Sequence, residues 1–166
     1  MEVFKSLPEG TLAELIDNVI YMSPTPVTNH QKVLLTIARR LSEQLDDLGK
    51  GQVIIAPFDV YLDETSNAVE PDIVVILKTN KDQPKPKGHF HGVPDLLVEV
   101  LSPGNREHDL VKKKNLYEKF GVREYWIVDP QSKAIVAYTL VSEKYESMTS
   151  EPGTIHSLLL NIAISF

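Results

Sequence analysis

The chain has 166 residues, of which 42% are hydrophobic and 24% charged, a composition that suits one soluble domain of about 1–166 with one hydrophobic core. It contains no cysteine, which excludes disulfides and thiolate metal sites, and no apolar run approaches the ~20 residues a membrane-spanning helix requires. A net charge of −6 argues against a protein that coats nucleic acid non-specifically, but not against an enzyme that meets a phosphodiester at one local patch. The first ten residues lack an apolar h-region, and a cytoplasmic location is expected.

Leu12 to Ser23 reads as a β-hairpin whose turn is Asp17-Asn18, since Asn tolerates the left-handed conformation such turns demand. Thr28 and Gln31 have capping-box spacing and open a helix. Its apolar residues Val33, Leu34, Ile37, Leu41, Leu45 and Leu48 recur at i+3/i+4, and Gly49 closes it. Residues 52–62 form a strand bent at Pro57, and Ile73 to Leu77 is a continuous apolar run of the kind found in a buried strand.

Residues 78–92 are a long polar loop carrying Lys78, Lys81, Lys85 and Lys87. A central strand over 95–102 follows and is broken by Ser102-Pro103-Gly104-Asn105. A helix is predicted from Arg106 to Phe120, closed by Gly121. Two further strands cover 124–130 and 134–140, and the tail from Thr154 to Phe166 reads as a last strand. This order gives a mixed α/β sheet flanked by helices, with an N-terminal hairpin.

Glu99 interrupts the apolar run Leu96-Leu97-Val98-Glu99-Val100-Leu101 of an interior strand. A carboxylate there is costly unless a cation or hydrogen-bond donors meet it. Asp95 lies four residues earlier on the same strand, about 13 Å away, too far to share one small cation. Asp72 begins a different strand, and neighbouring strands are only ~4.8 Å apart, so Asp72 is the better partner. On a helical wheel with Lys113 at zero, Leu110, Leu116, Tyr117 and Phe120 all fall within about 60° of it. Lys113 therefore points into the core, whereas Lys112 and Lys114 flank it. Asp109 and Tyr117 are one turn away on either side and can hold its amine. Two carboxylates and an inward lysine suit a Mg²⁺ or Mn²⁺ site that opens to water and a phosphate, with the backbone carbonyl of Val100 as a further oxygen ligand.

These residues lie in a longer pattern. Glu70-Pro71-Asp72, then Pro94-Asp95 through Glu99 to Ser102-Pro103, Asp109-x-x-x-Lys113-x-x-x-Tyr117, and Gly121 through Trp126 to Asp129-Pro130 resemble the Uma-type endonucleases. That family belongs to the PD-(D/E)XK, or restriction-endonuclease-like, superfamily. The resemblance runs from the first hairpin to the final strand. It implies the restriction-endonuclease-like fold and a metal-dependent phosphodiesterase site at Asp72 and Glu99, acting on DNA, with a homodimer as the working form. One departure is that Leu101 stands where the superfamily pattern has its lysine. The resemblance places that lysine on the following helix, where the wheel independently selects Lys113. Glu14 resembles the family's additional acidic residue, with a surface strand glutamate as the alternative.

Lys81, Lys85 and Lys87 are the expected rests for a DNA backbone, and His30, at a helix start, a further contact. His89 and His91 have H-x-H spacing but lack an obvious third zinc ligand, and Trp126 reads as core. Two other readings stay open. One is a catalytically inactive scaffold that kept the fold and binds nucleic acid or protein; the other is a hydrolase of a small phosphorylated molecule.

Overall fold

The computed structural model describes residues 1–8, 10–104 and 106–166. Asn105, part of the predicted strand break, lies outside the described residues. After a short helix α1 (Glu2–Lys5), strands β1 (Ala13–Ile16) and β2 (Val19–Met22) form the expected hairpin, with Ile16 opposite Val19. Asp17 and Asn18 take φ of 47° and 64°, the left-handed pair a two-residue turn of this twist needs.

Helix α2 (Thr28–Leu45) buries Val33, Leu34, Ile37, Leu41 and Leu45, as the periodicity predicts. Its ends differ from expectation. Val27, in extended conformation, is the N-cap, so Thr28 already lies inside the first turn and makes no capping bond. Leu48 falls beyond the last turn and is exposed, because the chain turns at Asp46–Gly49 and the Lys50 N–H returns to the Leu45 carbonyl at 2.8 Å.

The segment read as one strand bent at Pro57 is two strands in two sheets. β3 (Gly51–Ile55) pairs with β6 (Ile73–Leu77), whereas β4 (Val60–Tyr61) pairs with β5 (Ala68–Val69) and β7 (Phe90–His91). β8 (Leu96–Val100) is antiparallel to β6 and parallel to β9 (Glu124–Val128). β10 (Ile135–Val141) follows, with β11 (Lys144–Met148) at the edge; this last strand was not anticipated, and its turn residues Ser142 and Glu143 both have positive φ. The result is a mixed six-stranded sheet in the order β11-β10-β9-β8-β6-β3 and a five-stranded sheet in the order β2-β1-β5-β4-β7. The tail, expected as one strand, forms a separate hairpin of β12 (Thr154–Ser157) and β13 (Ile162–Ser165).

The predicted helix over 106–120 also has two parts. His108–Lys113 is a π-helical turn, and α3 (Lys114–Phe120) continues it to Gly121, which sits at φ 85° and donates its N–H to the Tyr117 carbonyl at 3.0 Å. Side chains alternate across the central strands, so the large sheet has two apolar faces. Val98 and Val100 lie with α2 and the tail hairpin, whereas Leu97 and Leu101 lie with Leu116, Tyr117 and the small sheet. Glu99 has the parity of Leu97 and Leu101, and it therefore enters the second layer. Among the described residues no helix is long and apolar enough to cross a membrane.

Candidate active site

β6 and β8 pair with Ile73 opposite Val98 and Val74 opposite Leu97. One more step in that register places Asp72 opposite Glu99, so the two carboxylates leave neighbouring strands on the same face. Asp72 Oδ2 accepts the Val100 N–H at 2.7 Å and lies 3.0 Å from His30 Nε2. Glu99 Oε1 accepts from Lys113 Nζ at 2.8 Å and from the Tyr117 hydroxyl at 3.3 Å. Asp72 Oδ1 and Glu99 Oε2 have no hydrogen-bond partner among the described residues.

Lys113 reaches this point from the π-helical segment, which leads into α3, whose Leu116 and Tyr117 pack on the Leu97 and Leu101 face of the sheet. Asp109 and Lys113, four residues apart along that segment, both face inward, each 4% exposed. The Tyr125 hydroxyl donates to the Asp109 carbonyl at 3.0 Å and satisfies one backbone group of the widened turn. Lys113 Nζ lies 2.9 Å from Glu14 Oε1 and 3.6 Å from Asp109 Oδ1. Tyr117, expected to hold the amine, donates to Glu99 instead. Glu14, on β1, also accepts the Glu70 N–H at 2.9 Å and contacts His108 Nε2 at 3.1 Å. It is a buried member of the cluster and not a surface glutamate.

Three carboxylates, Glu14, Glu99 and Asp109, thus surround one lysine, and Asp72 lines the same cleft. Burial pushes the Glu99 carboxyl well above the ordinary glutamate range; Lys113 offsets part of this, and Asp109, Asp72 and Glu14 add to it. Burial also raises Asp109, again against the pull of Lys113. Burial opposes the charge of Glu14 too, yet Lys113, His108 and the Glu70 N–H hold it below its usual range. Burial works against the Lys113 charge, but Glu14, Glu99 and Asp109 keep its ammonium well above the ordinary lysine value. Three acids share one ammonium, and a further cation would favour the ionised forms of Glu99 and Asp109.

One cleft is lined by Asp72, Glu99, Val100, Lys113, His30 and Glu70. Glu70 was not singled out from the sequence; burial and the charges of Asp59 and Glu14 push its carboxyl up to about 7. Its only sequence signal was adjacency to Pro71-Asp72. His108 was also missed, because nothing local marks it as facing a strand ninety residues away. No three His, Asp or Glu side chains among the described residues converge as a ready metal cage. The donors on hand are the unpartnered oxygens of Asp72 and Glu99 beside the Val100 backbone, a hard-oxygen set that suits Mg²⁺ or Mn²⁺ completed by water.

The remaining candidates lie elsewhere. Asp95 sits at the other end of β8, accepting the Leu77 N–H at 2.8 Å and pairing with Arg123 at 3.3 Å, a local structural role. Asn80 binds the same carboxylate at 2.9 Å, which puts the neighbouring Lys81 at the end of the sheet away from Glu99. Lys85 and Lys87 are exposed further along that loop. His89 and His91 pair with Asp59 at 3.2 Å and Glu64 at 2.6 Å in a separate pocket beside Tyr61. His30, expected as a DNA contact, is 3% exposed and turned onto Asp72. Trp126 is core, fully buried against α2 and the tail hairpin.

A family model described as "Putative restriction endonuclease", Uma2, matches residues 1–165. The chain belongs to the Uma2 family. A crystal structure from Anabaena variabilis ATCC 29413, titled a "putative nuclease belonging to DUF820", resembles this Uma2 chain with a TM-score of 0.79 at 18% identity, covering 99% of this chain and 93% of that one. At such identity the likeness shows the fold: a mixed α/β nuclease-like architecture with an N-terminal hairpin. Comparison with curated proteins finds no match.

Proposed function

We propose that this Uma2 protein is a metal-dependent endonuclease that hydrolyses phosphodiester bonds in DNA. The observation that carries the proposal is the meeting of Asp72, Glu99 and Lys113 in one cleft from two adjacent strands and a π-helical turn. Asp72, Glu99 and the Val100 carbonyl would hold Mg²⁺ or Mn²⁺. Bound there, the ion would supply Lewis acidity toward water and phosphate oxygens and neutralise charge at phosphorus.

The protein's own groups do the rest. Lys113 keeps its proton in this acidic surrounding, so its ammonium presents positive charge where the phosphoryl oxygens gain negative charge. Glu14 and Asp109 hold that ammonium in place from two sides. The hydrogen bond from Tyr117 fixes the Glu99 carboxylate against the strand. In the overall hydrolysis a water oxygen bonds to phosphorus, the ester P–O bond breaks, and the departing strand end takes a proton as a hydroxyl. A homodimer working in the cytoplasm, with one site for each strand of the duplex, belongs to the same proposal.

The test is cleavage of supercoiled plasmid with and without Mg²⁺ or Mn²⁺ by wild type, Asp72→Ala and Glu99→Ala. Nicking or linearisation that needs the metal and vanishes in both variants is expected. Metal bound by the wild type without any cleavage of DNA would favour a scaffold that kept the fold.

A further inference from the structure

His30 sits in the first turn of α2, on the opposite side of the large sheet from Lys113, yet its ring reaches the same cleft. Its Nε2 lies 3.0 Å from Asp72 Oδ2, the oxygen that also accepts the Val100 N–H at 2.7 Å. Two donors thus converge on one oxygen of Asp72, and the other oxygen has no partner among the described residues. A neutral imidazole donates from only one nitrogen, and the carboxylate oxygen can only accept, so the ring proton belongs on Nε2. The other nitrogen agrees with that assignment. His30 Nδ1 is buried without any partner, the place for a bare lone pair and not for an N–H.

We infer that His30 is a positioning residue for Asp72: its Nε2–H and the Val100 N–H clamp Oδ2, leaving Oδ1 to serve a divalent cation. This rests on the metal-site reading above. It also replaces the expectation of a phosphate contact, because a ring 3% exposed and committed to Asp72 is not offered to a DNA backbone. Groups that orient a ligating carboxylate typically contribute 10–100-fold to metal affinity. Gln can place its amide N–H near the position of a histidine Nε2, whereas Ala supplies no donor.

The experiment is Mn²⁺ binding by electron paramagnetic resonance on purified wild type, His30→Ala, His30→Gln and Asp72→Ala. Thermal melts verify folding, and the imidazole ¹⁵N shifts of the metal-free wild type report the tautomer. His30→Ala is expected to bind Mn²⁺ about 10–100-fold more weakly, with His30→Gln recovering most of the loss, and the ring is expected to carry its proton on Nε2. A folded His30→Ala that binds Mn²⁺ like wild type, a folded His30→Gln no better than Ala, or a ring protonated on Nδ1 would overturn the positioning role while the metal site stood. A wild type that binds no more Mn²⁺ than Asp72→Ala would instead overturn the metal site itself, and the role of His30 with it.

Discussion

Lys113 is where stability and chemistry meet in one side chain. It is 4% exposed and holds two glutamates within 2.9 Å, so Lys113→Ala leaves buried carboxylates without their cation. Breaking such a pair from one side costs about 3–5 kcal/mol. Lys113→Ala is expected to lower the unfolding free energy from denaturant melts by that amount and to abolish plasmid cleavage, while Mn²⁺ still binds to the folded fraction. Loss of Mn²⁺ binding with an intact fold would contradict the role assigned to the lysine. Asp63 offers a pH test away from the cleft. Burial works against its charge, but the Asn67 amide and the backbone N–H groups of Ser66, Thr65 and Asn67 hold its carboxyl well below the usual range. A depressed folded-state value stabilises the fold above the ordinary aspartate pKa of about 3.9 and loses that contribution as pH falls through the folded value. Wild-type stability should therefore decline below about pH 4, and Asp63→Asn should show a shallower decline in urea melts across that window.

At the scale of elements, the π-helical turn His108–Lys113 carries His108, Asp109 and Lys113 into the cluster. A π turn behaves as one residue inserted into an α-helix. Deleting Val111, which is about half exposed, should restore an α-helix and place His108 four residues before Lys113, which leaves both on the same side of the axis. The expected outcome is a folded protein by circular dichroism that keeps cleavage within a few-fold of wild type. Lost cleavage in a folded deletion variant would show that the wider turn itself sets the contact between Asp109 and Lys113. Helix α2 makes the simpler case. Its apolar stripe was legible because packing on one face of a sheet imposes the helical period, while its N-cap was not. The extended conformation of Val27 set that boundary, and the cap motif at Thr28 went unused.

At the scale of the whole molecule, Glu124 ties the tail hairpin to the central sheet. The carboxylate accepts the Leu159 N–H at 2.7 Å, the Ser157 hydroxyl at 2.7 Å and the Trp126 indole N–H at 3.2 Å. Glu124→Ala would leave these donors buried and unpaired, and a loss of about 3 kcal/mol in urea unfolding is expected. A change below about 0.5 kcal/mol would show the tail docks by apolar contact alone. The acidic net charge of −6 makes any DNA contact depend on local cations. Replacing Lys81 and Lys85 by alanine should weaken binding and reduce the slope of log affinity against log salt by about 2 if both meet phosphates. An unchanged slope would remove that loop from the interface.

The sequence alone determined what depends on local periodicity or on the high cost of burying charge. The hairpin at Asp17-Asn18, the stripe of α2, the central strands, and the convergence of Asp72, Glu99 and Lys113 were all readable on those grounds. It could not determine what depends on which strand meets which. The split of residues 51–61 between two sheets, the separate tail hairpin, and the approach of Glu14 and His108 from ninety residues apart have no local signature. The same holds for His30, whose ring turns onto Asp72 only because α2 packs across the end of β6. Long-range pairing is chosen by the burial of whole faces at once. Only the assembled tertiary structure therefore decided which polar groups share the cleft.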